Sequence, residues 1–551
     1  MLKLSKYSYL EIILLGAIAT AIILRIINLG SRELWYDEVL SLLLSTGKKR
    51  LYQNPQDIPV ILADYQSLLS LPIENSINDV WQTVEQFLKG LVGEPHPPLF
   101  YIGQHLWLRL FGNSVVAMRS LPALYSLGTI ACGYGLGKRL LGYRGGLLLA
   151  ALLGLNPFYL FHSLNVRMYC PLVFWTILSG WAILELIDFN ALKKPSSTHN
   201  LLWSLILIGS VAAGFMTFYY FAFWVASLGI LVLLQDRKYW LKHAIRLSAG
   251  IIITTPWLLW GTRQQLNNAD LGRFATPNSL LVTAWKHLQG LLNSLGANLI
   301  VGDWANITPA FGLIMAGTIA LAILIGCIYS LWRANKHQIL LIALSLSIVP
   351  LLIVMVIDVV TGKFTVGFGL GRSVIFILPG CMLLIAASIS TASVKWQPII
   401  ASLILTMYLS INLADFSLRS RWMFHEIADI IEQESTQPTL IVMNSNAWGH
   451  VMRLAYYLPK ESPILLLAQS SSKLASILET IFASSSQYQR ILWLDSDRPV
   501  WGRPTTTTET QEIQSVLRSR FQLVQQQRLR GTWEIDNFTA RLFERRLRAE
   551  G

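Results

Sequence analysis

The sequence predicts an α-helical multi-pass membrane protein of about eleven spanning helices with a small C-terminal α/β domain, because apolar segments of ~20 residues recur along most of the chain. Composition agrees. Of 551 residues, 53% are hydrophobic and 14% charged, too few charges to cover a soluble protein of this size. Mean hydropathy is +0.48. Inside lipid every backbone polar group must be paired within protein, which leaves helices and closed barrels. The runs here are continuous in Leu, Ile and Ala and do not alternate, which selects helices.

The first run, Tyr9 to Leu29, follows Lys3 and Lys6 and ends at Asn28-Leu29-Gly30 with no small-x-small cleavage pattern, so it is expected to remain as the first helix. A polar stretch, 31–112, follows and ends in an aromatic, amphipathic segment from Pro97 to Phe111, as expected of a helix lying in the membrane interface. Spanning helices are expected over 115–136, 145–162 and 169–187. A pair turning near Phe218-Tyr219-Tyr220 within 201–234 follows, and then a helix over 245–260. A long outer loop containing Gly302-Asp303-Trp304 precedes a helix reaching Arg333 and another climbing to Asp358. A glycine-rich loop, Thr361 to Arg372, leads to a helix beginning near Ser373 and a last one over 398–413.

The net charge of +13 does not indicate nucleic acid, since no basic face interleaved with aromatics is present. Many of the basic residues sit in short loops between apolar runs: Lys138, Arg139 and Arg144; Lys193 and Lys194; Arg237, Lys238, Lys242 and Arg246; Arg333 and Lys336; Lys395. Cytoplasmic loops gather Lys and Arg, so these loops are expected inside, with 31–112 and the C-terminal region outside a bacterial plasma (inner) membrane. Cys132, Cys170, Cys327 and Cys381 have no paired spacing and are expected to be small buried hydrophobes.

The composition changes near Asp415 and divides the chain into a membrane domain, 1–414, and an outer domain, 415–551. Short apolar strands are expected at Thr439–Met443, Pro463–Leu467 and Ile491–Leu494, separated by helices such as Trp422–Glu434, where Ile427, Ile430 and Ile431 fall at helical spacing.

Candidate chemistry gathers at the ends of helices on the outer side. Leu34-Trp35-Tyr36-Asp37-Glu38 puts two carboxylates just after the first helix. Such a group is either part of an interfacial aromatic belt with solvated acids or a general base at the water–lipid boundary, worth on the order of 10²–10⁴-fold in rate. His96-Pro97-Pro98 opens the amphipathic segment, and Ser163-Leu164-Asn165-Val166-Arg167-Met168-Tyr169 joins two expected helices. Arginine at this depth either snorkels or meets an anion. Gly369-Leu370-Gly371-Arg372 stands at an expected helix start, where a cation opposes the dipole unless an anion sits there too. His162, Lys363 and Asp303 are weaker candidates. A hydroxyl acceptor attacking a sugar on a lipid phosphate needs this set: a carboxylate to take the proton and guanidinium groups to hold the leaving phosphate.

Leu34 to Ser41, His96 to Tyr101, Leu106 to Gly112, Arg119 to Leu124 and Ser163 to Tyr169 occur in an order that resembles the GT-C membrane glycosyltransferases of the dolichyl-phosphate-mannose protein mannosyltransferase type (glycosyltransferase family 39), which include bacterial lipid A aminoarabinose transferases. The likeness covers residues 8–190 and, more loosely, 360–385. It implies inverting transfer from a polyprenyl-phosphate sugar to a protein, lipid or glycan acceptor, with Asp37 as base, Glu38 assisting, and Arg372 on the lipid phosphate. Arg167 and His96 would join the phosphate site, and Tyr36, Tyr169 and Asn165 the substrate. The family's Ser-x-Glu-x-Arg-x-Tyr reads here with Asn165 in place of the glutamate, which removes an acid from that position. The sequence assigns no metal ligands and leaves a divalent cation open.

Two other classes share parts of this inventory. A transporter or flippase of lipid-linked sugar is expected to show inverted repeats or midplane charges, and no such repeat is evident. A polysaccharide ligase using a lipid-pyrophosphate donor is not expected to carry the first-loop Asp-Glu.

Overall fold

The structure, a computed structural model, describes residues 9–191, 197–268, 280–419, 422–433, 437–459, 463–484, 487–500 and 502–545. Lys3, Lys6 and the Lys193/Lys194 loop lie outside the described residues. The chain forms two compact units: residues 1–29 with 91–415, and residues 30–90 with 416–551.

The first unit is helical. Among the described residues of the chain, nine helices are long and apolar enough to cross a membrane. One of them, Val115–Leu155, breaks at Gly142 (φ 78°), so the two helices expected there are present as arms of one kinked element. The 201–234 region holds two helices, Ser197–Phe215 and the shorter Phe221–Gln235, joined through Phe218-Tyr219-Tyr220 as expected. The aromatic segment after Pro98 is a helix, Leu99–Phe111. His337–Ser345 and Ile348–Thr361 divide the expected helix before Asp358 at Leu346-Ser347. All four cysteines are buried and free.

Two expectations need correction. The outer loop before Gly302 contains a helix, Leu280–Gly296, running on through a π-turn to Val301. Its Thr283, His287, Gly290 and Ser294 are buried while Val282, Trp285 and Leu288 are exposed. The helix turns polar residues inward and apolar ones outward, so it has none of the continuous apolar run by which a span is recognised. The tenth helix begins at Leu378, later than Ser373, because Phe368–Ile377 forms 3-10 turns containing left-handed residues.

The second unit is a six-stranded sheet: β1 Val60–Ile61, β2 Thr439–Met443, β3 Ile464–Ala468, β4 Arg490–Ser496, β5 Phe521–Arg530 and β6 Asn537–Arg545. The strand order is β1-β3-β2-β4-β6-β5, with β3, β2 and β4 parallel and the other pairings antiparallel. Every residue of β2 is buried, as a central parallel strand covered on both faces requires. Leu440, Val442, Ile491, Trp493 and Phe543 pack with Leu474, Leu478, Ile513 and Leu517 into one core.

The three parallel strands are legible from their apolar runs. The β5–β6 hairpin is not, because β5 (FQLVQQQRLR) alternates with glutamine and arginine and presents a mostly polar face. The sequence places a boundary at 414/415 and the first loop with the helices; the two units divide after Leu29, after Gly90 and after Asp415. Residues 30–90 join the sheet unit, with β1 pairing to β3.

Candidate active site

In the sheet unit, Tyr36 begins the helix Tyr36–Ser45, and the Trp35 N–H donates to Glu38 Oε2 at 2.7 Å. A glutamate reaching back over the first turn satisfies a backbone donor that the helix leaves open, worth about 1 kcal/mol. Glu38, which the resemblance implied as an assisting residue, is thereby buried and holds the helix start.

The segment before it is tied down residue by residue. The Glu33 carboxylate accepts from the His425 N–H (3.0 Å) and lies 2.9 Å from His425 Nδ1. The Leu34 N–H donates to Tyr457 Oη at 2.7 Å, and the Trp35 and Trp533 rings are 6.0 Å apart. Tyr36, expected at substrate, is buried: its ring lies 4.6 Å from Trp448 and edge-on to His450 at 5.6 Å. From Arg32 to Val39, Asp37 is the one residue that is not buried. The fold presents that carboxylate and packs away its neighbours.

Beneath Tyr36 lies a buried ionic group. Arg453 makes a bidentate pair with Asp536, one arm at 2.8 Å, and His450 Nε2 lies 3.5 Å from the same carboxylate. Burial opposes the charge on Asp536, but the Arg453 cation and its hydrogen bonds outweigh it and hold the carboxyl at about 2. Burial pushes the His450 imidazole below its ordinary value.

In the helical unit, the Arg372 loop has the most unusual backbone among the described residues. Gly369, Leu370 and Gly371 are successively left-handed, at φ 60°, 52° and 91°. Leucine rarely adopts such a conformation, and it persists only where the surroundings dictate it. They do. Asp358 accepts from the Thr365 N–H (2.7 Å), Thr365 Oγ1 (2.6 Å) and the Val366 N–H (2.9 Å). Ser294 donates to the Val366 carbonyl at 2.7 Å, and Ser373 donates to that of Thr365 at 2.7 Å. His287 Nε2 lies 2.8 Å from the Lys363 carbonyl, and Asn298 Nδ2 donates to the Gly371 carbonyl at 3.2 Å. A Cβ on Gly371 would stand 2.4 Å from Asn298 Nδ2, so only glycine fits. Half-buried Arg372 donates from Nε to the Gly369 carbonyl at 3.0 Å. It precedes the helix at Leu378, so the expected conflict with that helix's dipole does not arise.

The helix junction joins this loop through a relay of amides. Asn156 caps the short helix Pro157–Ser163 and donates from Nδ2 to the Asn298 carbonyl at 2.9 Å. Beyond it, Tyr169 lies 4.7 Å from the ring of His162 and 6.4 Å from Phe218, and Arg167 lies over Tyr169 at 5.9 Å. His96 also stacks on Phe218, at 6.0 Å. The structure therefore brings His96, His162, Arg167 and Tyr169 together. Asn165 is buried and donates to the Phe161 carbonyl at 3.2 Å, so the residue that replaces the family's glutamate closes the turn. Asp303 is buried and accepts from Asn306 Nδ2 at 2.7 Å, which gives it a local turn role. Lys363 is half-buried and supplies the carbonyl held by His287.

Several framework residues escape a reading of the sequence. Gln265 Nε2 donates to the Leu91 and His96 carbonyls, each at 2.9 Å, and its Oε1 accepts from Tyr219. Arg25, inside the first helix, is buried and donates to Ser126 Oγ (2.7 Å) and to the Ala21 (2.9 Å) and Gly154 (2.7 Å) carbonyls. Arg25 and Asp358 do carry a signal: an ionisable residue within an apolar helix needs a partner or a function. Among the described residues, no group of three or more His, Cys, Asp or Glu is placed to hold a metal ion.

The sheet unit carries the acid-bearing Asp37 loop, and the helical unit carries the left-handed Arg372 loop. Residues 95–260 match the profile of the dolichyl-phosphate-mannose-protein mannosyltransferase family. The fold is similar to that of ArnT from Cupriavidus metallidurans, solved bound to undecaprenyl phosphate (TM-score 0.55, 12% identity, 99% of this chain and 100% of that chain covered). A looser likeness is to the oligosaccharyltransferase of Archaeoglobus fulgidus in complex with zinc and sulfate (TM-score 0.48, 12% identity, 87% and 68% covered). Comparison with curated protein sequences gives no match. Family match and fold together support a GT-C membrane glycosyltransferase.

Proposed function

We propose that the protein transfers a sugar, with inversion, from a polyprenyl-phosphate carrier to a protein, lipid or glycan acceptor on the extracytoplasmic face. The acceptor hydroxyl gives its proton to Asp37 as its oxygen bonds to the anomeric carbon. The bond from that carbon to the phosphate oxygen breaks, and the phosphate leaves with the electron pair. Arg372 holds that phosphate, with Arg167 and His96 beside it, and Tyr169 lines the donor sugar. Charge developing on a leaving phosphate is stabilised most cheaply by donors already fixed in place.

The observation that carries this reading is the Gly369–Arg372 loop. Its backbone holds three consecutive left-handed residues and its Gly371 carbonyl is held by Asn298, in a fold similar to a protein solved with undecaprenyl phosphate bound. The strain falls on Leu370, on the order of 1 kcal/mol, and strained residues of this kind cluster at ligand clamps.

Asp37→Asn is expected to lower kcat by on the order of 10²–10⁴-fold while expression and binding of the lipid donor persist. The measurement is sugar transfer by purified protein in liposomes, with the carrier–sugar lipid identified by its accumulation in cells lacking the protein. Full activity of Asp37→Asn removes Asp37 from the mechanism. The face is tested by an impermeant thiol reagent in intact cells, expected to label a cysteine placed near Asp37 and to spare one near Lys238.

A further inference from the structure

Strands β3 and β4 flank β2 on opposite sides, so the connections leaving β2 and β3 diverge at the carboxyl end of β2. In open parallel sheets the crevice at such a switch point is where ligands bind. Here β2 leads directly into the helix Trp448–Tyr457, and what packs against the start of that helix is the chain's own Tyr36. Gly449 makes the contact close: a Cβ there would meet Tyr36 Cδ2 at 2.4 Å.

The same helix holds the backbone on the N-terminal side of Tyr36. Tyr457 accepts from the Leu34 N–H, and Arg453 Nη1 lies 3.5 Å from the Leu34 carbonyl. Arg453 also stands 5.7 Å from the centre of the Tyr36 ring. Ser445 Oγ, His450 and Asp536 line up at 2.8 Å and 3.5 Å in the manner of a hydrolytic trio, but all three are buried and Asp536 is engaged by Arg453. Their arrangement supports the Tyr36 ring and presents no nucleophile to solvent.

We propose that the sheet unit is the positioning frame of the Asp37 loop, with Gly449, His450 and Arg453 as positioning residues that act on Asp37 through Tyr36. This rests on the assignment of Asp37 as base. Tyr36 precedes Asp37 directly, so a displaced ring turns the first helical turn and moves the carboxylate. A displacement of about 1 Å from productive geometry costs on the order of 10²-fold in rate. The C-terminal residues thereby gain a part in the chemistry without touching substrate.

The test uses the full chain in liposomes with a polyprenyl-phosphate sugar. Gly449→Val is expected to lower kcat on the order of 10²-fold with the donor KM changed less than about twofold. Tyr36→Leu, which removes the ring without adding bulk, is expected to lose a comparable factor. The double variant is expected to be no worse than the worse single, because both break one contact. Near-full kcat in Tyr36→Leu, additive losses, or a loss confined to KM would each overturn the proposal. Additive losses would show Tyr36 acting at substrate. If Gly449→Val does not accumulate in membranes, Tyr36→Leu with Gly449→Ala decides the same question. An inactive Asp37→Asn beside a fully active Gly449→Val sinks the frame alone, whereas a fully active Asp37→Asn sinks the assignment of the base itself.

Discussion

The Asp37 loop and the Arg372 loop are held in place by different means. Asp37 sits on regular backbone, in the first turn of a capped helix, and its neighbours Leu34, Trp35 and Tyr36 are buried and held by ring packing together with hydrogen bonds to Tyr457 and Glu38. Arg372 sits on irregular backbone, with three consecutive left-handed residues, and its loop is fixed by hydrogen bonds to main-chain groups from Asp358, Ser294 and Asn298. A carboxylate that takes a proton needs one side chain aimed correctly, which helix geometry provides. A phosphate needs several donors converging, and left-handed turns expose successive N–H groups for that purpose. Damage should therefore differ in kind: at the first loop it should appear in kcat, at the second in donor binding.

After Asp37→Asn, the largest expected effect is Gly371→Ala. The added methyl strikes Asn298 and occupies a φ of 91° that alanine disfavours. Loss of the Asn298 contact and the backbone shift together should cost about 2–3 kcal/mol of donor binding, roughly 30- to 150-fold in KM. The donor KM by initial-rate kinetics checks it. A fall in kcat at unchanged KM would break the contrast between the loops.

The two loops also differ in how far the sequence discloses them. Asp37-Glu38, His96-Pro97-Pro98 and Gly369 to Arg372 are local patterns, and local patterns survive in one dimension. Their supports are non-local. Nothing adjacent to Tyr36 indicates that Gly449 must lack a side chain, and nothing near Gly371 points to Asn298. The Leu280–Gly296 helix is hard to see in the sequence because its buried face bears Thr283, His287 and Ser294 while Val282, Trp285 and Leu288 are exposed, which leaves no continuous apolar run. Long helices are plain by contrast, since apolarity sustained over a bilayer's thickness is demanded of a span and of little else. The allegiance of residues 30–90 to the sheet unit leaves no trace because β1 is two residues long.

A smaller effect distinguishes the loops by pH. His450 is buried beneath Tyr36 with its imidazole pushed below the ordinary 6.5, while Asp536, Arg453 and Tyr36 face it. Below pH 6.5 the unfolded chain binds a proton at this histidine that the folded chain refuses, so stability falls as pH falls, by at most about 1.4 kcal/mol per unit. Asp536, held at about 2, loses its contribution only between its ordinary value near 3.8 and 2. Glu426 has the opposite sign, since burial raises its carboxyl and its share is lost as pH rises. Thermal unfolding from pH 7.5 to 5.0 should show a decline that His450→Gln flattens. An unchanged slope in that variant would mean that His450 titrates normally and that the Tyr36 frame is wetter than its burial indicates.

The smallest effect is at Leu370, and it separates backbone shape from side chain in the Arg372 loop. Leucine at φ 52° carries a cost of about 1 kcal/mol that glycine avoids. Glycine also enlarges the unfolded ensemble, which returns part of that gain. Leu370→Gly should therefore change stability by less than about 1 kcal/mol, in the stabilising direction, with the donor KM held within about threefold. Leu370→Val, whose branched side chain tolerates this region least, should destabilise and raise KM. Should Leu370→Gly raise KM tenfold while Leu370→Val does not, the loop would depend on contacts of the leucine side chain, and its likeness to the packed Asp37 loop would be greater than its hydrogen bonds suggest.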